Sequence, residues 1–337
     1  MPEYIRPIVQ WDVARPADAQ MLAGGRGWFT QVEVLSRSAD PSIVAASEVS
    51  EEALAALVET RPPIAGMTMD RPRIMGILNT TPDSFSDGGK HNSAEKALQG
   101  ALRMSDADIL DIGGESTRPG AAFVPAEEEI LRTVPVIKAL RAAGLGQPIS
   151  IDTRKAAVAD AALRAGASLV NDVSGFTFDS DLAPLCARRA APVCVMHAQG
   201  DPKTMQSAPQ YEDVLLDVYD FLADQIAMLV DAGVPRSQIV ADPGIGFGKT
   251  QSHNLALLAR LSLFHGLGVP ILLGASRKKF IGTIGHQELA EKRMPGSIAV
   301  ALAALKHGTQ IVRVHDVPET AQAIALWQAA VAGCADG

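Results

Sequence analysis

Residues able to do chemistry recur in this sequence in one kind of place, the polar end of a short apolar run. Asn79, Asp111, Asp152, Asn171 with Asp172, His197, Asp242, Ser276 with Arg277, and Arg313 with His315 all stand there. A single Asp or Asn at such a point is explained by capping, because its side-chain oxygen takes up an unpaired backbone N–H at the start of a helix. Cations are disfavoured at that end of a helix, so Arg277, Lys278 and Arg313 need another reason. Arg313 and His315 fall on one face of their run by strand alternation, in the last of the series. Together with Asn79 they form a candidate diphosphate cradle, and the Asn79 amide oxygen also suits a hard divalent cation.

Four further stretches carry chemistry. "LNTTPDSFSDGG", from Leu78 to Gly89, continues past Asn79 into a polar loop with a lone Phe85, longer than a simple turn needs. "DIGGESTRPG", from Asp111 to Gly120, presents hydroxyls and a guanidinium suited to a planar anion, although an ordinary glycine-rich connection has a similar composition. "ADPGIGFGKT", from Ala241 to Thr250, resembles a P-loop only superficially: that motif needs glycine where Pro243 stands, and G-x-G-x-x-G is not satisfied either. What remains is a strand-end carboxylate, Asp242, suited to the parallel N–H groups of an aminopyrimidine edge. The glycines beside it would let Phe247 and Lys249 approach a ligand. "GASRKKF", from Gly274 to Phe280, puts Ser276, Arg277 and Lys278 at the end of the seventh run. His197 reads equally well as a packing residue and as a functional one.

The elements that must position these groups follow a rhythm. Apolar runs rich in Ile, Val and Leu occupy residues 74–78, 109–112, 149–151, 169–170, 193–196, 239–241, 271–273 and 311–314. Between them lie segments patterned for helix at 94–104, 127–143, 155–165, 214–232, 254–261, 297–306 and 318–331, with 179–189 the weakest of the set. Buried strands alternating with helices predict a parallel sheet, and eight units in this length predict an α/β fold of the (β/α)8 TIM-barrel type. In such a barrel the C-terminal strand ends converge on one face, and the loops after strands seven and eight are the habitual phosphate site. The division expected is a catalytic barrel over residues 71–337 and an N-terminal extension over 1–70 that packs on it. The extension holds one well-formed helix signal at 50–59, with Ser50 as cap, and its role is not legible.

The 337 residues, 47% hydrophobic and 20% charged, suffice for a large core. A net charge of −8 gives nucleic-acid binding no electrostatic footprint. Three cysteines without metal-ligand spacing point to a reducing compartment. The first twenty residues hold no secretory apolar core, and no uncharged run is long enough to span a bilayer. A soluble, cytoplasmic protein acting on small molecules is the expectation.

Taken in order, "MGILNTTPDSFSDGG", "DIGGESTRPG", "SIDTRK", "NDVSG", "VMHAQG", "DPGIGFGK", "ASRK" and "RVHD" resemble the dihydropteroate synthase family, the pterin-binding barrels of folate synthesis. The resemblance runs from about residue 73 to the C-terminus. It implies condensation of 6-hydroxymethyl-7,8-dihydropterin diphosphate with p-aminobenzoate, giving 7,8-dihydropteroate and pyrophosphate with Mg²⁺, in a homodimer. Position by position, it implies that Asp152, Asn171, Asp242 and Lys278 bind the pterin. Asn79, Thr117, Arg313 and His315 are implied at the diphosphate, with Asn79 at the metal. Thr117, Arg118, Pro119 and Ser276 are implied at the p-aminobenzoate, between apolar walls Phe85 and Phe247. The catalytic set is then Asp152, Lys278, Arg313 and His315, acting by an SN1-like course under two closing loops. Two alternatives share part of this pattern: a pterin barrel passing a methyl group to a corrinoid, and a non-catalytic paralogue that binds pterin or regulates a partner enzyme. The first has no need of the diphosphate cradle, and the second would have lost part of it.

Overall fold

Strand runs that are apolar on both faces suit a sheet wrapped by helices outside and closed around its own core inside. The computed structural model, which describes residues 3–80, 90–116, 121–200, 205 and 208–334, has that arrangement. The chain begins with β1 (Tyr4–Pro7), β2 (Gln20–Met21), β3 (Trp28–Phe29), β4 (Gln31–Leu35), β5 (Ser42–Ala45) and helix α1 (Glu51–Val58). β1, β4 and β5 form a three-stranded antiparallel sheet. Helix α1 starts where the sequence places it, with the Ser50 hydroxyl accepting from Ala53 N. The strands of this region were not foreseen. They are two to five residues long, too short for alternation to show before a partner is known.

The barrel strands are β6 (Arg73–Asn79), β7 (Ile109–Gly113), β8 (Ile149–Asp152), β9 (Leu169–Asp172), β10 (Val193–Met196), β11 (Ile239–Asp242), β12 (Leu272–Leu273) and β13 (Ile311–Val314). They form one eight-stranded sheet in the order β11-β10-β9-β8-β7-β6-β13-β12, every pair parallel. A parallel bridge between Ala241 and Ile271 joins its two ends, so the expected (β/α)8 barrel is the fold observed. Of all residues in these strands only Asn79 and Arg313 are not buried, and both stand at the C-terminal mouth.

Around the ring run α2 (Lys90–Arg103), α3 (Ala126–Ala142), α4 (Ala156–Ala165), α5 (Leu182–Arg189), α6 (Val214–Asp231), α7 (Gln251–Ala259), α8 (Lys279–Ile284), α9 (Met294–Lys306) and α10 (Val317–Ala332). α2 and α9 start four and three residues before their expected bounds, two other starts differ for identifiable local reasons, and one helix was not foreseen. α5 starts later than 179 because the Asp179 carboxylate accepts from Ala156 N at 2.8 Å and Asp181 N at 3.0 Å, holding the start of α4. α7 starts earlier than 254, where the Thr250 hydroxyl accepts from His253 N at 3.2 Å. α8 is six residues with Gly282 inside, too short for helical periodicity to announce it.

Inside the barrel, alternation layers the side chains. Met75, Ile109, Leu169, Cys194, Val240, Leu272 and Ile311, all near strand starts, form one apolar cluster with Ile64, Met67 and Met69. The segment joining the extension to β6 therefore plugs the N-terminal end. The extension has its own small core around Phe29, Val32 and Leu57. It is tied to the barrel by Ser262 Oγ donating to Pro7 O at 2.9 Å, Arg61 Nη2 to His265 O at 3.0 Å and Trp11 Nε1 to Lys306 O at 2.8 Å.

Candidate active site

The alternation that puts Ile109 and Ile311 in the apolar plug brings Asp111 and Arg313 into the same interior, one layer nearer the C-terminal mouth. Arg313 reaches across it. Its Nε donates to Asp111 Oδ2 at 2.6 Å and its Nη2 to Asp152 Oδ2 at 2.8 Å. Asn171 Nδ2 donates to the same Asp111 oxygen at 3.3 Å. One guanidinium thus serves two buried carboxylates. Burial pushes the Asp152 carboxyl up, with Arg313 opposing and Asp111 adding to the rise. Burial works against the Arg313 charge, but Asp111 and Asp152 outweigh it and hold that pKa above its usual value. Asp111 Oδ1 is buried with no hydrogen-bond partner among the described residues, an acceptor suited to a ligand N–H.

Asp242 ends β11, and its Oδ1 accepts from Gly244 N at 2.7 Å. Burial pushes this carboxyl up to about 6, against the Gly244 N–H and the positive charges of Lys278, Arg313 and Lys249. The Lys278 ammonium sits 4.0 Å from the centroid of the Phe247 ring, a cation–π contact. Ser276 Oγ accepts from His315 N at 3.2 Å and lies 3.0 Å from His315 Nδ1. The Ser276 hydroxyl can donate to Nδ1 or accept from it, so this contact fixes the orientation of the imidazole ring and the tautomer sets its direction.

A cavity of about 870 Å³ opens over these strand ends, lined by Asn79, Asp152, Phe247, Ser276, Lys278, Arg313 and His315 among others. Asn171 and Asp242 do not line it; they are buried, at 3% and 5% exposure, beside groups that do. Phe85, Thr117, Arg118 and Pro119 lie outside the described residues, as do all of 81–89 and 117–120 in the two expected closing loops. Arg277, which argued for this face in the sequence, also lines the cavity, but its guanidinium is paired: Nε donates to Asp316 Oδ2 at 3.1 Å from a backbone at φ +58°.

Three groups stand outside the set that the family resemblance implied. Asp111 was visible as a strand end, but nothing local tells that it faces Arg313. Glu115 accepts from Lys155 Nζ at 2.8 Å, Arg154 Nε at 3.1 Å and Val124 N at 2.9 Å. Burial would raise its pKa, but the two cations outweigh it and hold the group ionised. Lys155 also donates to Glu129 Oε2 at 2.6 Å, so a buried network anchors the chain on both sides of 117–120. The third is Lys249, whose Nζ lies 2.8 Å from His197 Nδ1. Burial takes the Lys249 ammonium down to about 7, and takes the His197 imidazolium down to about 2, so His197 is a neutral packing partner of the lysine.

Comparison with known proteins agrees with this geometry. The profile of the family described as pterin binding enzyme matches residues 75–315. A dihydropteroate synthase of Escherichia coli (strain K12) is 46% identical over 265 residues, covering 78% of this chain and 93% of that one. The structure of Xanthomonas albilineans dihydropteroate synthase with 4-aminobenzoic acid superposes with a TM-score of 0.75 at 46% identity, over 80% of this chain and 97% of that one. The same enzyme in complex with 7,8-dihydropteroate gives a TM-score of 0.72 at 43% identity, over 80% and 98% of the two chains. The chain belongs to the dihydropteroate synthase family of pterin-binding enzymes.

Proposed function

We infer that this chain condenses 6-hydroxymethyl-7,8-dihydropterin diphosphate with p-aminobenzoate, forming 7,8-dihydropteroate and pyrophosphate for folate synthesis. The observation that carries the reading is Arg313, held between Asp111 and Asp152 at the mouth that His315 and Ser276 share. A guanidinium has five N–H donors, and the two carboxylates take one from Nε and one from Nη2. The others are available to diphosphate oxygens, and His315 lines the same cavity.

In the reaction the C–O bond from the pterin methylene to diphosphate breaks and a C–N bond to the aryl amine forms, which loses a proton. An aryl amine is a weak nucleophile, so assisting departure matters most. Arg313 and His315 lower that barrier by stabilising charge on the leaving oxygens. The positive charge left on the methylene falls near the Asp152 carboxylate, which favours an SN1-like course without a protein nucleophile. Asp242, Asn171 and the Asp111 Oδ1 acceptor meet the polar edge of the pterin, and Lys278 borders it. Phe247 and Ser276 flank the p-aminobenzoate, and Phe85, Thr117, Arg118 and Pro119 complete that side in this reading.

Among the described residues no cluster of three or more His, Cys, Asp or Glu side chains could hold a metal. Asn79 offers one neutral, hard oxygen at the cavity edge. That donor fits Mg²⁺, which keeps water and takes substrate phosphate oxygens instead of an all-protein cage. The chemistry Mg²⁺ supplies there is neutralisation of diphosphate charge.

The reading includes a cytoplasmic homodimer. Among the described residues no helix is long and apolar enough to cross a membrane. The Ala-rich α9 is a candidate face between copies, and sedimentation showing only the 35.4 kDa chain would reject the dimer.

The test of function is pyrophosphate release from the pterin diphosphate with p-aminobenzoate and Mg²⁺; none from folded protein would refute it. Arg313→Ala should weaken binding of the pterin diphosphate about thirtyfold, and of a pterin without phosphates about threefold, as charged hydrogen bonds to phosphate are lost. Equal losses would make Arg313 structural.

A further inference from the structure

Lys249 follows the glycine turn after β11 and lines the cavity, yet it is only 2% exposed. Its Nζ lies 2.8 Å from His197 Nδ1, 2.9 Å from Gly244 O, 3.1 Å from Phe247 O and 3.3 Å from His197 O. A lysine ammonium has three donors and no acceptor, and a buried one persists only when they are used. Here the acceptors come from two different loops. His197 opens the loop after β10, while Gly244 and Phe247 belong to the turn after β11.

These loops touch backbone to backbone. A Cβ on Gly244, at φ +69°, would stand 1.9 Å from His197 O. A Cβ on Gly248, at φ +62°, would stand 2.5 Å from Gln199 O. Tyr211, which closes the far end of the first loop, donates its hydroxyl to Gly248 O at 2.7 Å. The turn that Lys249 grips by its carbonyls is the one that presents Phe247 to the cavity, with the Lys278 ammonium 4.0 Å from its ring centroid.

We propose that Lys249 is a positioning residue for p-aminobenzoate: its ammonium ties the loops after β10 and β11 into one wall and so fixes the Phe247 ring against Lys278. The proposal rests on the function inferred above, with Phe247 beside the aryl amine. Lys249 itself touches no reacting atom. Its effect passes through the Phe247 carbonyl to the ring, so it belongs to substrate placement and not to departure of the diphosphate.

The test is steady-state kinetics of the full chain with the pterin diphosphate, p-aminobenzoate and Mg²⁺. Lys249→Met keeps the length and removes the donors. It should raise KM for p-aminobenzoate about tenfold, with kcat and KM for the pterin diphosphate each changed by less than about threefold. Phe247→Leu should raise the same KM in the wild type but add less than about twofold in the Lys249→Met background, because both act on one wall. His197→Gln loosens the tie from its other end and gives the same split where Lys249→Met does not hold its fold. Unmoved KM values, a uniform loss across all three constants, or effects of the two substitutions that simply multiply would each overturn the proposal. An inactive wild type would instead sink the inferred function, and this proposal with it.

Discussion

Asp242 shows how one residue's surroundings set a pH dependence. Burial has lifted its carboxyl from the usual 3.8 to about 6, so below pH 6 the unliganded site holds a proton there. A pterin edge that donates N–H groups needs the ionised form and must expel that proton. Affinity for a phosphate-free pterin should therefore rise about tenfold per unit from pH 5 to 6 and level off above. Asp242→Asn should bind at least about tenfold more weakly, with that component of the pH dependence gone, as read by titration calorimetry. An unchanged slope in the variant would assign the proton elsewhere. For stability the sign is opposite: with its folded pKa above the unfolded one, this group destabilises the unliganded protein as pH rises from about 4 to about 6.

Among the elements, the turn after β11 is the most constrained. Gly244 combines a left-handed backbone with a Cβ position 1.9 Å from a carbonyl oxygen of the neighbouring loop. Gly144 shares the backbone conformation at φ +80° but has nothing within 4 Å. Alanine at 144 should cost about 1 kcal/mol, the left-handed penalty alone. Alanine at 244 adds a clash with main chain, for a total of about 3 kcal/mol, and weakens pterin binding because Gly244 N holds Asp242. Thermal unfolding of the pair measures the difference. Similar costs at both sites would show that the two loops can separate freely.

At the scale of the whole molecule, the barrel's two ends are used for different purposes. The C-terminal mouth is polar and carries the cavity, while the N-terminal end is filled by Ile64, Met67 and Met69 from the preceding segment. Ile64→Ala removes a fully buried side chain from that plug and should cost about 3 kcal/mol in chemical denaturation. KM for both substrates should stay within about twofold, since the plug lies a layer away from every strand-end group. A raised KM would mean that the plug sets the geometry of the mouth.

What the sequence by itself determined is the local part of this design. Polar residues at the ends of apolar runs made Asp152, Asn171, Asp242 and Arg313 legible as groups gathered on one face of the barrel, and alternation put Arg313 and His315 on one side of their strand. The order of strands and helices, and with it the barrel, followed from the same periodicities. Only the tertiary structure decided which of those groups meet. Arg313 pairs with Asp111 and Asp152 across 202 and 161 residues of chain, because closing the sheet sets β13 beside β6 and opposite the interior faces of β7 and β8. Lys249 likewise reads in the sequence as a ligand contact, and in the structure it is spent on His197 and two carbonyls. Local propensity fixes which face a side chain takes, but its partner is chosen by closure of the ring and by the layer it occupies.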